Sequence, residues 1–389
     1  QAGEVQAAAH LAEHPSGQAQ QNDLNAKQEE GLNSVRFLHG YRQLNENVEY
    51  AVTKQFKIDI DVYPNDLPRE LAERQILLEH YEEQRKLVKF KDVHHRDLRA
   101  GGYDPVERLK DQAIDGVSGE VLYATYAMQL YQMQDAGLQE AAFHTYNEWM
   151  VELCSHAPDK LKGLALISVY NVDNAVKALR HWHSRGLVGA MIANVPPAGT
   201  EYSDALYEPF WAAAEEMGVP ISIHTLTSNR AVVHRFPRDK RGAASYPENP
   251  LEVMLTLGEI LTSTLFDRHP KLKLVLAEAD TGWLPWLLER VDRGQERYGG
   301  QNGIHLKLKP SEYFHRNVMA AFIKDRVGVY TREFTGVDNL MWSSDYPHTD
   351  TTWPKSRESI AHDFAGVSES DMRKMTCTNA AKLYGFNVV

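Results

Sequence analysis

The segment from Trp342 to Asp350 places a carboxylate and an imidazole three positions apart, at Asp345 and His348. It follows residues 338–341, whose pattern predicts a turn that leads into a short apolar β-strand, residues 340–344. Oxygen and nitrogen donors that follow a strand so closely are suited to binding a divalent metal ion. The alternative is that Asp345 only caps the next helix, which is a frequent role of Asp after a strand.

Other predicted strands also end in side chains that can bind a metal ion. They are Asp61 and Tyr63 in residues 56–63, His224 in residues 219–224 and Glu278 in residues 272–278. An ionised carboxylate buried without a partner is costly, so Glu278 needs a metal ion, an Arg or a proton. His224 could instead be a hydrogen-bonded core residue, and Asp61 could be a turn residue. Taken together, the strand ends favour a metal site.

The elements that must position these side chains alternate along the chain. The predicted strands are residues 56–63, 117–123, 161–170, 187–194, 219–224, 272–278, 318–322 and 340–344. Helical patterns separate them, at residues 67–90, 105–114, 136–156, 172–185, 207–217 and 250–266. About eight βα units predict an α/β fold of the (β/α)₈ TIM-barrel type. A doubly wound sheet is the alternative, but no Gly-x-Gly-x-x-Gly follows any strand.

Composition limits the classes of partner. The 389 residues carry a net charge of −11, so no basic field attracts nucleic acid or a membrane surface. The apolar runs are strand-length, which predicts no membrane span. The two cysteines, Cys154 and Cys377, form no metal or disulfide motif, and a cytoplasmic protein is expected. Residues 1–55 are interpreted as an N-terminal arm and residues 56–389 as the barrel.

Several motifs in this order resemble the amidohydrolase-related branch of the amidohydrolase superfamily, which includes aminocarboxymuconate-semialdehyde decarboxylase. The matching stretches are Gly102–Pro105, Arg108–Asp111, Asp115–Tyr123, His224, Ala277–Pro285, Trp342–Pro354 and Thr378–Tyr384. The resemblance implies a distorted TIM barrel, a site for one or two metal ions, a small-molecule substrate and a homodimer.

The chain departs from that family at two positions. Tyr63 replaces the second imidazole of the motif after the first strand, and Glu278 stands where a His is usual. The resulting donor set resembles that of nonheme iron oxygenases, and iron is the favoured metal, with zinc or manganese as alternatives. A small group with this barrel, similar to the diiron monooxygenase of platensimycin biosynthesis, shares both Glu278 and the Asp-Tyr-Pro-His sequence at residues 345–348.

The segment at residues 228–241 is basic. Its arginines, which include Arg230, Arg235 and Arg238, could hold the phosphates of a coenzyme A ester beside the barrel mouth. An ordinary solvated loop is the alternative. His94 and His95 could supply a further imidazole, although exposed histidines are the simpler interpretation.

Three functions are compatible with these residues. The favoured one is a nonheme mono- or diiron monooxygenase that hydroxylates a small organic substrate, with His224, Glu278 and Asp345 as its catalytic residues. The second is a hydrolase or decarboxylase with one zinc or manganese ion. The third is a binding scaffold whose catalytic site has decayed.

Overall fold

The computed structural model describes residues 99–228, 246–348 and 350–387. These residues form one parallel sheet of seven strands, in which each strand pairs with the next one along the chain. The strands are β1 (Glu120–Leu122), β2 (Leu161–Leu166), β3 (Gly189–Ile192), β4 (Ile221–His224), β5 (Leu274–Ala277), β6 (Val318–Phe322) and β7 (Leu340–Trp342). The strand predicted at residues 56–63 lies outside the described residues.

Helices precede, connect and follow the strands. They are α1 (Pro105–Asp115), α2 (Ala136–Ser155), α3 (Val172–Ser184), α4 (Glu208–Met217), α5 (Leu251–Leu261), α6 (Leu265–Arg268), α7 (Leu284–Tyr298), α8 (Pro310–Asn317), α9 (Arg326–Tyr330), α10 (Arg332–Thr335), α11 (Ser356–Asp363), α12 (Glu369–Arg373) and α13 (Asn379–Tyr384). Short 3₁₀ segments cover Ala100–Gly102, Tyr126–Gln132, Ala205–Tyr207, Gly299–Asn302 and Val337–Asn339, and a π-helical turn covers Lys374–Thr378. Within the described ranges, no helix is long and apolar enough to cross a membrane.

The sheet is curled rather than flat. Leu164 of β2 and Met341 of β7 belong to one buried cluster, together with Val275 of β5 and Tyr384 of α13. In a flat sheet, β2 and β7 would lie five strand positions apart, at about 4.8 Å per position. Contact through a shared interior therefore requires the strands to curve around it. This confirms the predicted TIM-barrel architecture.

Strand alternation decides which side chains reach the interior. Ile221 and Ile223 of β4 lie in the outer core against the helices. Because neighbouring side chains in a strand point to opposite faces, Ser222 and His224 point into the barrel. The sequence pattern at β4 therefore directs the imidazole of His224 inward, at the carboxyl end of its strand.

Local polar residues set the helix ends. The carboxylate of Asp104 accepts hydrogen bonds from the backbone nitrogens of Val106 (2.8 Å) and Glu107 (3.0 Å), which begins α1 as predicted. The helix predicted at residues 250–266 is divided into α5 and α6. Ser263 is the reason, because its hydroxyl donates to the carbonyl of Ile260 at 2.7 Å and accepts from the nitrogen of Leu265 at 3.2 Å.

Candidate active site at the carboxyl ends of the strands

His224 and Glu278 lie side by side at the ends of β4 and β5. His224 pairs in register with Ala277, so Glu278 is one residue beyond the paired position. Nε2 of His224 lies 3.1 Å from Oε2 of Glu278. Nδ1 of the same imidazole is 2.7 Å from the carbonyl oxygen of Thr225, to which it donates. This bond places a hydrogen on Nδ1 and directs Nε2 to Glu278.

Asp345 and His348 form a second pair at the end of β7. Nδ1 of His348 lies 2.6 Å from Oδ1 of Asp345, and the backbone nitrogen of His348 donates to the carbonyl of Asp345 at 2.8 Å. Nε2 of His348 is 3.0 Å from the hydroxyl of Thr125, which follows β1. The imidazole therefore bridges the two edge strands of the described sheet.

The two carboxylates sit on unusual backbone. Glu278 has a φ of 53° and Asp345 a φ of 54°, both in the left-handed region that few residues other than glycine adopt. Such conformations persist only where the surrounding structure enforces them, and they occur often at functional sites. Asp325, after β6, supplies part of this support near Glu278. Its Oδ2 accepts from the backbone nitrogens of Thr281 (2.6 Å) and Gly282 (2.7 Å).

The four side chains form one polar cluster. Donor atoms of Glu278, Asp345 and His348 all lie within 4.8 Å of one another. The side chains of His224 and Asp345 are 4% and 8% exposed, whereas those of Glu278 and His348 are each 26% exposed. Two carboxylates and two imidazoles with partly open access are a donor set that fits a divalent cation. The orientation of His224 fits as well, because a neutral imidazole with its Nδ1 donating to a carbonyl binds metals through Nε2.

Burial and the imidazoles act in opposite directions on the two carboxylates. Burial raises the pKa of Glu278, but His224 and His348 together outweigh it and hold that pKa below its usual range. At Asp345 burial prevails, and the pKa is raised in spite of the hydrogen bond with His348. Glu278 is therefore kept ionised as an acceptor, whereas Asp345 is suited to holding a proton.

A cavity of about 800 Å³ opens onto the cluster. Tyr123, His224, Glu278, Asp345 and His348 are among the described residues that line it. Below the cluster, the hydroxyl of Tyr123 lies 3.0 Å from that of Ser222 and 3.3 Å from that of Tyr384. Its lining also extends past β1 to Gly119 and Phe386, so only the part beside the cluster is relevant to a bound small molecule.

Four of the six residues predicted as metal ligands are thus brought together: His224, Glu278, Asp345 and His348. Their assignment as ligands remains a prediction. The other candidates lie outside the described residues, and they are Asp61, Tyr63, His94, His95, Arg230, Arg235 and Arg238.

The sequence alone did not identify the residues of α1 that support the cluster from outside it. Arg108, Asp111 and Asp115 of α1 are buried, and all three contact the segment that follows β7. Their spacing of three and four positions places them on one face of α1. That spacing could have identified them in the sequence, because charged residues on the buried face of a helix need partners.

Several of the known proteins to which this chain is similar are decarboxylases. The chain is 26% identical to a γ-resorcylate decarboxylase of Rhodococcus jostii over 261 residues, which cover 61% of this chain and 74% of that protein. It is similar to the crystal structure of the 5-carboxyvanillate decarboxylase LigW from Sphingomonas paucimobilis, with a TM-score of 0.63 and 25% identity over 72% of this chain and 83% of that one. A 5-carboxyvanillate decarboxylase from Novosphingobium aromaticivorans, solved with manganese and 4-hydroxy-3-methoxy-5-nitrobenzoic acid, has a TM-score of 0.63 and 20% identity, covering 72% and 79% of the two chains.

These relatives correct the favoured function. The prediction of a nonheme iron monooxygenase, and hence of an oxidoreductase, is wrong, and the likeness to the diiron monooxygenase is not supported. The error lay in inferring iron from a carboxylate-rich donor set. Carboxylate oxygens and imidazoles suit manganese equally well, so the donor types alone do not select a redox metal. The predictions of a coenzyme A ester and of a homodimer stay predictions.

The profile of the amidohydrolase family matches residues 92–386, which include every described strand and the whole cluster. The broader of the two resemblances seen in the sequence is thereby confirmed. This chain belongs to the amidohydrolase family.

Proposed function

We propose that the chain is a decarboxylase of small hydroxylated aromatic acids that depends on a divalent metal ion, with manganese as the favoured metal. The cluster of Glu278, Asp345 and His348, with His224 beside it, carries the proposal, because its donors converge at the mouth of a cavity. The similarity to γ-resorcylate and 5-carboxyvanillate decarboxylases supports the reaction. The manganese in a solved relative supports the metal.

We assign His224, Glu278 and Asp345 to the metal ion. A bound divalent cation would supply positive charge that stabilises negative charge on the oxygens of the substrate. Nε2 of His224 is directed to this point by the bond between its Nδ1 and Thr225. In the metal-free protein, burial raises the pKa of Glu278, but protonated His224 and His348 hold that pKa below its usual range, and a bound cation would take over this role once His224 has lost its proton. The partly buried walls exclude bulk water and strengthen these interactions.

Asp345 and His348 are proposed to handle the proton. Loss of carbon dioxide from an aromatic acid requires a proton at the ring carbon that carries the carboxylate. The bond between that carbon and the carboxylate then breaks, its electron pair returns to the ring, and carbon dioxide leaves. Asp345 would bind the metal ion as a carboxylate and would carry the proton only as it passes from His348 to the ring carbon, a transfer that burial favours because it raises the pKa of Asp345. His348, whose Nδ1 is 2.6 Å from Oδ1 of Asp345, can replace the proton from solvent.

The test is carbon dioxide release by the manganese-loaded protein from hydroxybenzoates, including 2,6-dihydroxybenzoate and 5-carboxyvanillate. We expect release from at least one of them and a loss of about 100-fold or more in the Asp345→Asn variant. Asp338→Asn is the matched control, because Asp338 lies at the opposite end of β7 and is 74% exposed. Folded protein that binds manganese but releases no carbon dioxide from any of these acids would contradict the proposed reaction.

A further inference from the structure

One face of α1 is built around the segment that follows β7. Asp115 accepts a hydrogen bond from the backbone nitrogen of Ser356 at 2.9 Å and another from its hydroxyl. Arg108 donates to the carbonyl of Tyr346 over 3.4 Å and pairs with Glu120 of β1 at 2.5 Å. Buried charges of this kind are tolerated only when each has partners. Helix α1 therefore connects β1 to the segment that carries Asp345 and His348.

Tyr346 lies at the centre of this contact. Its hydroxyl donates to Oδ2 of Asp111. Its ring lies against Trp353, with 5.5 Å between the ring centroids, and the guanidinium carbon of Arg108 is 5.0 Å from the ring centroid. The side chain is thus held by a hydrogen bond at its tip and by packing on its ring.

Arg99 and Trp353 also hold Asp111 in place. Nε of Arg99 donates to its Oδ2 at 2.7 Å, and the indole nitrogen of Trp353 donates to its backbone carbonyl at 3.0 Å. Burial alone would raise the pKa of Asp111, but the hydrogen bonds from Arg99 and Tyr346 outweigh it and lower that pKa. The carboxylate is therefore an ionised acceptor in a set position, and hydrogen bonds to an ionised acceptor are the stronger ones.

Tyr346 is the residue next to Asp345 and lies two positions before His348. Asp345 has left-handed backbone, which is retained only if the residues around it are held in place. The backbone hydrogen bond from His348 to Asp345 closes a turn that contains Tyr346. A displacement of Tyr346 would consequently move the carboxylate and the imidazole together.

We infer that the hydrogen bond between Tyr346 and Asp111 is a positioning contact, which holds Asp345 in the geometry that the metal site requires and keeps His348 beside it. The inference rests on the proposed metal site. Tyr346 and Asp111 act through their neighbours, so neither needs to touch the metal ion or the substrate. Side chains that orient metal ligands in this way typically change metal affinity about 10- to 100-fold when they are replaced.

The test compares Tyr346→Phe, Asp111→Asn and the double variant with the wild type by titration calorimetry with Mn²⁺. We expect each single variant to weaken Mn²⁺ binding about tenfold or more, and the double variant to lose no more than the weaker-binding single variant. Glu107→Gln is the matched control, because Glu107 lies on the solvent face of α1 and pairs with Lys110. Tyr346→Phe keeps the ring and removes only the hydroxyl, so it serves if Asp111→Asn fails to fold.

A second measurement is hydrogen exchange in the metal-free proteins. Exchange in the peptide that covers residues 343–356 should be faster in Tyr346→Phe than in the wild type, and unchanged in Glu107→Gln. Mn²⁺ affinity and exchange that both equal the wild-type values in Tyr346→Phe would overturn the inference. Wild-type protein that binds no Mn²⁺ would instead contradict the proposed function, and the exchange result would then decide the inference by itself.

Discussion

The imidazole of His224 and the carboxylate of Glu278 face each other from adjacent strands, with 3.1 Å between Nε2 and Oε2. Because Nδ1 of His224 donates to Thr225, both facing atoms are acceptors when the imidazole is neutral. Two acceptors at this distance need a proton or a cation between or beside them. The relationship makes Glu278 the residue on which the metal assignment can be tested most directly.

Replacement of Glu278 by Ala should abolish metal occupancy and leave the fold intact. The site would lose one carboxylate, whereas the core beneath it, which includes Val275, is not altered. Metal quantification after dialysis against Mn²⁺ and far-UV circular dichroism measure the two effects. Glu333→Ala is the control, because Glu333 is 79% exposed and lies outside the cluster. Full occupancy in Glu278→Ala would show that Glu278 is not a ligand.

Replacement of His348 by Asn should separate proton handling from metal binding. We expect the rate of carbon dioxide release to fall about 100-fold, because Asp345 would lose its partner for proton exchange. Mn²⁺ affinity, measured by calorimetry, should be retained. His362→Asn is the matched control, since His362 is 71% exposed and also pairs with a neighbouring Asp. A variant that no longer binds Mn²⁺ would identify His348 as a ligand instead.

Removal of the metal ion should lower the thermal stability and the activity together. Binding to the native state alone stabilises it by about 2.7 kcal/mol at a free Mn²⁺ concentration one hundred times the dissociation constant. We therefore expect a chelator to lower the melting temperature and to stop carbon dioxide release, and added Mn²⁺ to restore both. The Glu278→Ala variant should show no such shift in melting temperature. A wild-type melting temperature that is indifferent to Mn²⁺ would count against a site in the folded protein.

Replacement of Glu259 by Gln should change how stability depends on pH. Burial raises the pKa of Glu259 to about 7, and its carboxylate accepts from the backbone nitrogen of Ser203 at 3.2 Å. Within the described residues, its Oε2 is buried without a hydrogen-bond partner. A raised carboxyl pKa means that the native state binds the proton more tightly than the unfolded chain. The stabilising contribution is therefore complete below the usual pKa of 4.5 and is lost as the pH rises to about 7.

Because the Gln side chain does not titrate, the variant should gain stability relative to the wild type between pH 5 and pH 8, by at most about 3 kcal/mol. Urea unfolding at both pH values measures the difference in the free energy of unfolding. Glu333→Gln is the control, since Glu333 is 79% exposed. Equal differences from the wild type at pH 5 and pH 8 would show that the carboxyl group of Glu259 is not perturbed.

Much of the fold could be predicted because its signals are local. Residues 318–322 form the strand expected from their composition, and α1 begins with Asp104 as its cap. Predicted strands at residues 161–170 and 187–194 extend past the observed ones, because their last residues are not paired in the sheet. The periodicity of the sequence shows which residues are apolar, but it does not show where a strand stops pairing with the adjacent strand.

Part of the candidate site could also be predicted, because its signals are local in the sequence. Polar side chains at the ends of apolar strands are visible in the sequence, and parallel strands bring those ends to one face. The contacts of Asp111 and Asp115 were not predicted, because their partners lie more than 230 positions away along the chain. The preference for iron failed because carboxylates and imidazoles serve several metals, and the choice among them depends on geometry as well as on donor type.

The sequence by itself determined the order of the strands and helices, the family, and the residue types that stand at the strand ends. The tertiary structure alone decided that Nε2 of His224 faces Glu278, that Asp345 pairs with His348, and that α1 holds the segment between them. The physical reason is the range of the interactions. Helix and strand patterns follow from neighbours a few positions apart, whereas the position of a side chain in the site depends on contacts between residues that only the folded barrel brings together.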